Sequence, residues 1–78
     1  MKVCVKYFGM IAESAGKIEE VLELEQGLSI KELKDQQLKK YQIRDAESVQ
    51  IAVNQNLDNE VELKDGDEVA FLPPFAGG

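Results

Sequence analysis

The chain has 78 residues, enough for one small domain and no second. Nine Lys and Arg against fifteen Asp and Glu leave a formal charge of −6, the wrong sign for a free-standing nucleic-acid binder or for docking on an anionic membrane. With no His and a single cysteine, Cys4, imidazole bases, Ser-His and Cys-His nucleophiles, an internal disulfide and CxxC zinc or redox sites are all excluded.

Residues 2–8 alternate as a strand, with Val3, Val5 and Tyr7 on one face and Cys4, Lys6 and Phe8 on the other, which Lys6 marks as the wetter one. Apolar neighbours make Cys4 read as a buried, inert thiol. Met10 to Ala15 predicts a short helix stopped by Gly16 in the left-handed region. Residues 18–24 predict a second strand, with Ile18, Leu22 and Leu24 on one face and Glu19, Val21 and Glu23 on the other.

After the loop Glu25-Gln26-Gly27, Ser29 and Glu32 have the spacing of a capping box, and Leu28 and Leu33 that of a hydrophobic staple. Ile30, Leu33, Leu38 and Tyr41 fall on one face of the helix that follows, and its late lysines suit the macrodipole. Residues 49–54 predict a third strand in which Val49, Ile51 and Val53 alternate with Gln50, Ala52 and Asn54, followed by a turn at Asn54-Gln55-Asn56. Val61 and Leu63 mark a short strand, Asp65-Gly66 a tight turn, and residues 68–72 a last strand stopped by Pro73-Pro74. The order is β-β-α-β-β-β with small helices between: an α+β roll in which the first two strands pair antiparallel and one main helix packs across a mixed sheet.

Interior chemistry is sparse. Asp65-Gly66-Asp67-Glu68 lacks the ligand spacing of a calcium loop and reads as a turn. Asp58, Glu60 and Glu62, like Glu19, Glu20 and Glu23, read as solvated faces. No glycine-rich phosphate cradle and no metal site occurs, and Phe8, Phe71 and Phe75 are too scattered for a base-stacking platform. Charge is uneven. Residues 31–44 hold five cations against two anions, a net of +3, which leaves −9 on the rest and fits equally steering toward a protein with a basic face or ordinary solubility. No apolar run is long enough to span a bilayer and no signal peptide is evident, so a cytoplasmic chain is expected.

The last six residues stand apart. Pro73-Pro74-Phe75-Ala76-Gly77-Gly78 stop a strand, hold the chain extended, offer one aromatic anchor and finish almost without side chains. Glycines lack a Cβ, so an enzyme can close around such a tail from every side. A covalent carrier needs this combination of stiff handle and thin reactive end, with Gly78 as the reacting residue and Pro73, Pro74, Phe75, Ala76 and Gly77 as tail and partner-binding positions.

The segment from Leu63 to Gly78, with its Asp-Gly-Asp-x-Val turn and strand, Pro-Pro pair and final Gly-Gly, resembles the C-terminus of the molybdopterin synthase small-subunit family, the MoaD family of ubiquitin-like sulfur carriers. Tyr7-Phe8, Ala15-Gly16 and the strand Val49 to Asn54 extend the resemblance over the whole chain. Two positions depart from the family pattern: Gln55 stands where a glycine often follows the strand-three Asn, which leaves the turn type open, and Ala12-Glu13 replace a basic residue whose contacts cannot be carried over.

The resemblance implies a ubiquitin-like β-grasp over residues 1–78 with a flexible tail from about 73 to 78. It implies that an E1-like enzyme uses ATP to adenylate the Gly78 carboxylate and that a sulfur donor protein converts it to a thiocarboxylate. The large subunit of molybdopterin synthase would then receive the tail, and sulfur would pass to the cyclic pyranopterin precursor to form the dithiolene. Catalytic groups would come from the partner, with no cofactor bound by this chain. A carrier for the thiazole of thiamin and a ubiquitin-like protein modifier are the alternatives.

Overall fold

A computed structural model describes residues 1–43, 46–57 and 62–73. The first strand, β1 (Lys2–Tyr7), follows the alternation of its sequence: Val3 and Val5 are fully buried, Tyr7 nearly so, and Lys2, Cys4 and Lys6 face outward. A short helix, α1 (Met10–Ala15), ends where Gly16 turns left-handed at φ 75° and its N–H returns to the Ala12 carbonyl. Next, β2 (Glu19–Glu23) pairs antiparallel with β1, Cys4 facing Val21 and Val5 facing Glu20.

The main helix, α2 (Ile30–Lys40), begins at Ser29, whose hydroxyl accepts the Glu32 N–H at 3.1 Å and donates to the Glu32 carboxylate at 3.1 Å. The capping box therefore closes through the serine hydroxyl, and such a cap contributes about 1 kcal/mol. Ile30, Leu33 and Leu38 are buried, and Leu28 packs half-buried against the core they join, as a staple requires. A 3-10 turn (Ala46–Ser48) leads to β3 (Gln50–Val53), and the last strand is β4 (Glu68–Leu72).

The sheet runs β2-β1-β4-β3. The two central strands are parallel, Tyr7 beside Phe71, while β3 lies antiparallel to β4, Ile51 beside Phe71. The β-grasp expected from the resemblance is thus present: a mixed sheet with one main helix across it, the helix's Leu33 and Leu38 in one cluster with Val3, Val5, Val69 and Phe71. Each such side chain contributes about 1.5–3 kcal/mol, and truncating Leu33, which is fully buried, would cost about 2–5 kcal/mol.

Three expectations need correction. Ile18 lies one residue before β2 and is 73% exposed, so the inner face of this strand is formed by Glu20 and Leu22. Leu63 is buried against the core, but its backbone is irregular: among the described residues there are four strands, and Val61 lies outside the described residues. Cys4 is half-exposed, because the alternation that buries Val3 and Val5 turns it to the Lys6 face. Of the acidic stretch 58–62, Asp58 and Glu60 lie outside the described residues and Glu62 is exposed.

Two turns hold the strands in place. Asn54 and Gln55 both have positive φ, 50° and 71°, between reciprocal backbone bonds of Val53 and Asn56 at 2.7 and 2.9 Å. That is a two-residue turn of the primed kind, which favours Asn-Gly. The turn is kept although Gln55 occupies the glycine position. Asn54 is fixed further: its amide donates to Asp67 at 3.0 Å and its oxygen accepts the Glu68 N–H at 3.0 Å. In the second turn Gly66 has φ 88°, Asp67 accepts the Lys64 N–H and Asp65 accepts the Lys2 N–H. Both carboxylates of this acidic turn are therefore occupied in building backbone.

Candidate functional site

Because β4 is a central strand, the chain leaves the middle of the sheet at Pro73, beside the end of β1, and not from an edge. Pro73 is the one residue of the predicted tail site that the structure places. Pro74, Phe75, Ala76, Gly77 and Gly78 lie outside the described residues.

The sheet surface around this exit faces away from α2. Lys6, Phe8, Ala52, Leu57, Ala70 and Leu72 line a shallow open depression, with Gln55 and Glu68 at its rim. Phe8 is 44% exposed and Leu57 59%. On its other side Phe8 borders a second groove with Gly9, Ala12, Ile18 and Glu19, so the ring forms a ridge between two apolar hollows. The charges on this surface are the exposed pair Lys6–Glu68 at 3.5 Å, worth at most about 1 kcal/mol, and Glu19. Exposed apolar side chains gathered at one strand end are what a protein partner covers.

Cys4 is also on this face. Its thiol lies 3.9 Å from a Glu19 carboxylate oxygen, and partial burial, then the Glu19 charge, push its pKa above the ordinary thiol value. The thiolate is disfavoured, so the expected inert character of Cys4 stands on electrostatics and not on depth.

The opposite face holds a polar cluster. Tyr7 donates to Glu20 Oε2 at 2.6 Å and accepts from Gln37 Nε2 at 2.8 Å, while Tyr41 donates to the same Glu20 oxygen at 2.5 Å. Lys17 approaches the other oxygen at 3.4 Å, and the Lys17 and Lys40 ammonium groups lie 5.6 and 5.2 Å from the Tyr41 ring centre. Burial alone would raise the pKa of Glu20. The hydrogen bonds from Tyr41 and Tyr7 and the charges of Lys17 and Lys40 outweigh it and hold the carboxyl below its usual range. Burial and the Glu20 bond drive the Tyr7 phenol far above its ordinary value. The cluster ties β1, β2 and α2 together. Among the described residues no group of three or more His, Cys, Asp or Glu is placed to hold a metal. What this end of the molecule offers is a strand end, an apolar surface and a backbone.

Sequence reasoning missed Leu57, Glu20 and Gln37. Leu57 had a signal, an apolar residue directly after the polar turn. Glu20 and Gln37 had an indirect one: tyrosines at 7 and 41 on the inward faces need partners for their hydroxyls.

The family model described as the ThiS family matches residues 5–78. The molybdopterin synthase sulfur carrier subunit of Mycobacterium tuberculosis is 43% identical over 82 aligned positions, covering 100% of this chain and 99% of the relative. A putative molybdopterin converting factor, subunit 1, from Pyrococcus furiosus superposes with a TM-score of 0.81 at 35% identity, covering 96% of this chain and 99% of that one. A chain in the complex of subunits 1 and 2 of the molybdopterin-converting factor of Helicobacter pylori superposes with a TM-score of 0.68 at 31% identity, covering 100% of both.

Proposed function

The chain belongs to the ThiS family, and from that premise we propose that it is the sulfur carrier subunit of a molybdopterin synthase, with the Gly78 carboxylate as the sulfur-bearing group. The end-to-end match to the Mycobacterium sulfur carrier subunit carries the reading. The Helicobacter complex of subunits 1 and 2 supports a large subunit as partner, and the apolar ridge at Phe8 and Leu57 is a surface such a partner would cover.

In the cycle, a carboxylate is a poor electrophile until one oxygen becomes a good leaving group. An E1-like enzyme therefore joins Gly78 to the AMP moiety of ATP and releases pyrophosphate. The outer sulfur of a persulfide donor displaces AMP to give an acyl disulfide, and a second thiol of the activating machinery cleaves its S–S bond, carrying the donor's inner sulfur away as a disulfide and leaving a thiocarboxylate, which is a softer nucleophile than the carboxylate. With the tail in the large subunit, the thiocarboxylate sulfur bonds to a carbon of the cyclic pyranopterin precursor in place of an oxygen substituent, and water then cleaves the acyl–sulfur bond, which leaves the sulfur on the precursor and regenerates the carboxylate. This chain supplies the tail and the docking surface; acids and bases come from the partners, in keeping with a sequence that has no His.

Deletion of Gly78, or addition of one residue beyond it, is expected to abolish sulfur transfer with an unchanged circular dichroism spectrum. Dithiolene synthesis by the truncated chain would refute the proposal. Intact mass separates the alternatives: a carrier is recovered as free acid or with one oxygen replaced by sulfur, and a protein modifier is recovered joined to lysines of other proteins.

A further inference from the structure

Gly9 lies between β1 and α1, at the end of the sheet where β4 stops. Beyond the Tyr7–Phe71 register pair, the Phe8 N–H donates to the Phe71 carbonyl at 3.2 Å, so the chain leaving β1 stays beside β4 to its end. Gly9 then takes φ 58° and ψ −133°, a backbone conformation that L side chains rarely adopt. The side of Gly9 where a Cβ would stand is filled by the Pro73 ring: that carbon would lie 3.0 Å from Pro73 Cγ and 3.7 Å from its Cβ. Gly16 provides an internal comparison. Its φ of 75° and ψ of 17° lie in the left-handed helical region, a milder restriction on a side chain than that at Gly9, and a Cβ there would meet nothing within 4 Å. Positive φ is common to both positions, with the stronger restriction at Gly9, and of the two only Gly9 meets the first residue of the tail, so the paired change with Pro73 separates contact from strain.

We infer that Gly9 is a positioning residue for the carrier reaction: its bare backbone is the seat on which the Pro73 ring packs, and this seat sets the direction in which the chain leaves β4. The inference rests on the reading of Gly78 as the reacting end. The ring already fixes φ of Pro73, and packing it on Gly9 restrains the placement of the whole residue. Drawn out in a partner's channel, the five residues beyond Pro73 would span at most about 17 Å, and a tilt of about 10° at Pro73 would then move the far end by about 3 Å. Misplacement of about 1 Å at a reacting atom can cost about a hundredfold in rate.

The test is ATP–pyrophosphate exchange by an E1-like adenylating enzyme, with the full-length chain as varied substrate, on wild type, Gly9→Ala, Gly16→Ala, Pro73→Ala and the double variant Gly9→Ala with Pro73→Ala, each below its own unfolding temperature. KM for the chain reports docking of the body, and kcat reports delivery of the carboxylate. Gly9→Ala is expected to lower kcat about tenfold or more with KM within about twofold of wild type, and Gly16→Ala to change neither. The losses of Gly9→Ala and Pro73→Ala are expected not to add, because both remove one contact. Equal kcat for Gly9→Ala and Gly16→Ala, or additive losses, overturns the inference. If Gly9→Ala does not fold, nuclear Overhauser effects between Gly9 Hα and the Pro73 ring in the wild-type chain decide: their presence supports the seat and their absence overturns it. A wild-type chain that undergoes no exchange overturns the functional reading instead, and those same Overhauser effects then decide the contact.

Discussion

Glu20→Gln is the most informative single change, because it keeps shape and acceptor while removing charge. In the wild type one Glu20 oxygen accepts from both Tyr7 and Tyr41. A hydrogen bond to a charged acceptor contributes about 1.5–3 kcal/mol and a neutral one about 0.5–1.5 kcal/mol. The change therefore forfeits about 1 kcal/mol per phenol, or about 2 kcal/mol for the pair. Part of this is returned, because an amide is cheaper to desolvate than a carboxylate and the side chain keeps 15% of its exposure. The expected loss at pH 7 is about 1–2 kcal/mol, and each kcal/mol lowers the unfolding midpoint of a domain this size by about 4–8 °C.

The sign of the pH dependence follows from the lowered carboxyl pKa of Glu20 in the folded state. As pH falls, the unfolded chain takes up its proton first, near the ordinary glutamate value of about 4.3. The stabilisation from the charged form is therefore complete above that value and is lost as pH falls through the folded one. Urea denaturation of both proteins from pH 7 down to about pH 2.5 should show the gap closing in acid. Taking the difference cancels every other carboxylate. A gap that is constant over this range, or absent at pH 7, would refute the role given to the charge.

Gln55→Gly should stabilise the protein by about 0.5–1 kcal/mol in a thermal melt, since relief of about 1–2 kcal/mol of left-handed strain outweighs about 0.4–1 kcal/mol of added unfolded-state entropy; a lower midpoint would show the turn unstrained. Cys4→Ser should change stability by less than about 0.5 kcal/mol in denaturant titration, because the half-exposed hydroxyl meets solvent and the Glu19 carboxylate. Sulfur carriage should be kept in that variant, and its loss would assign the thiol a chemical role. Phe75→Ala should leave the midpoint nearly unchanged and weaken binding to a large subunit at least about tenfold by calorimetry, about 1.4 kcal/mol; unchanged affinity would remove Phe75 from the interface.

What the sequence made legible was local. The alternation of Val3, Val5 and Tyr7, the stop at Gly16, the Ser29 cap and the break at Pro73 each rest on residues within one turn or strand, and each is found in the structure. The failures have separate causes. Hydropathy periodicity treats every Glu and Gln as solvent-facing, so Glu20 and Gln37 were left outside although two tyrosine hydroxyls draw them in. Ile18 failed the other way: an apolar residue was assigned inward, but the pairing of β2 begins one residue later. For Cys4 the alternation was right and the residue's usual preference for the interior was wrong. The parallel pairing of β1 with β4 joins residues more than sixty positions apart, and no local signal encodes it. The role expected of the tail rests on its resemblance to a family and on the chemistry of Pro-Pro and Gly-Gly, and its residues from Pro74 on lie outside the described residues.

The two faces of the sheet divide stability from delivery. Glu20, Tyr7, Gln37 and Tyr41 lie on the α2 side, joined by hydrogen bonds among themselves. Phe8 and Leu57 lie exposed on the other side, and the Gly9–Pro73 contact sits where the chain leaves the sheet. A change in the first set alters the free energy of folding and leaves the exit intact, so it should shift the unfolding midpoint without altering kcat for the folded chain. Phe8 and Leu57 leave about half of their surface exposed, so changes there should act on partner affinity more than on the midpoint. The phenotypes separate because the main helix covers one face only. The sheet is thereby backed by α2, while among the described residues Phe8 and Leu57 stay exposed on its front for a partner to cover.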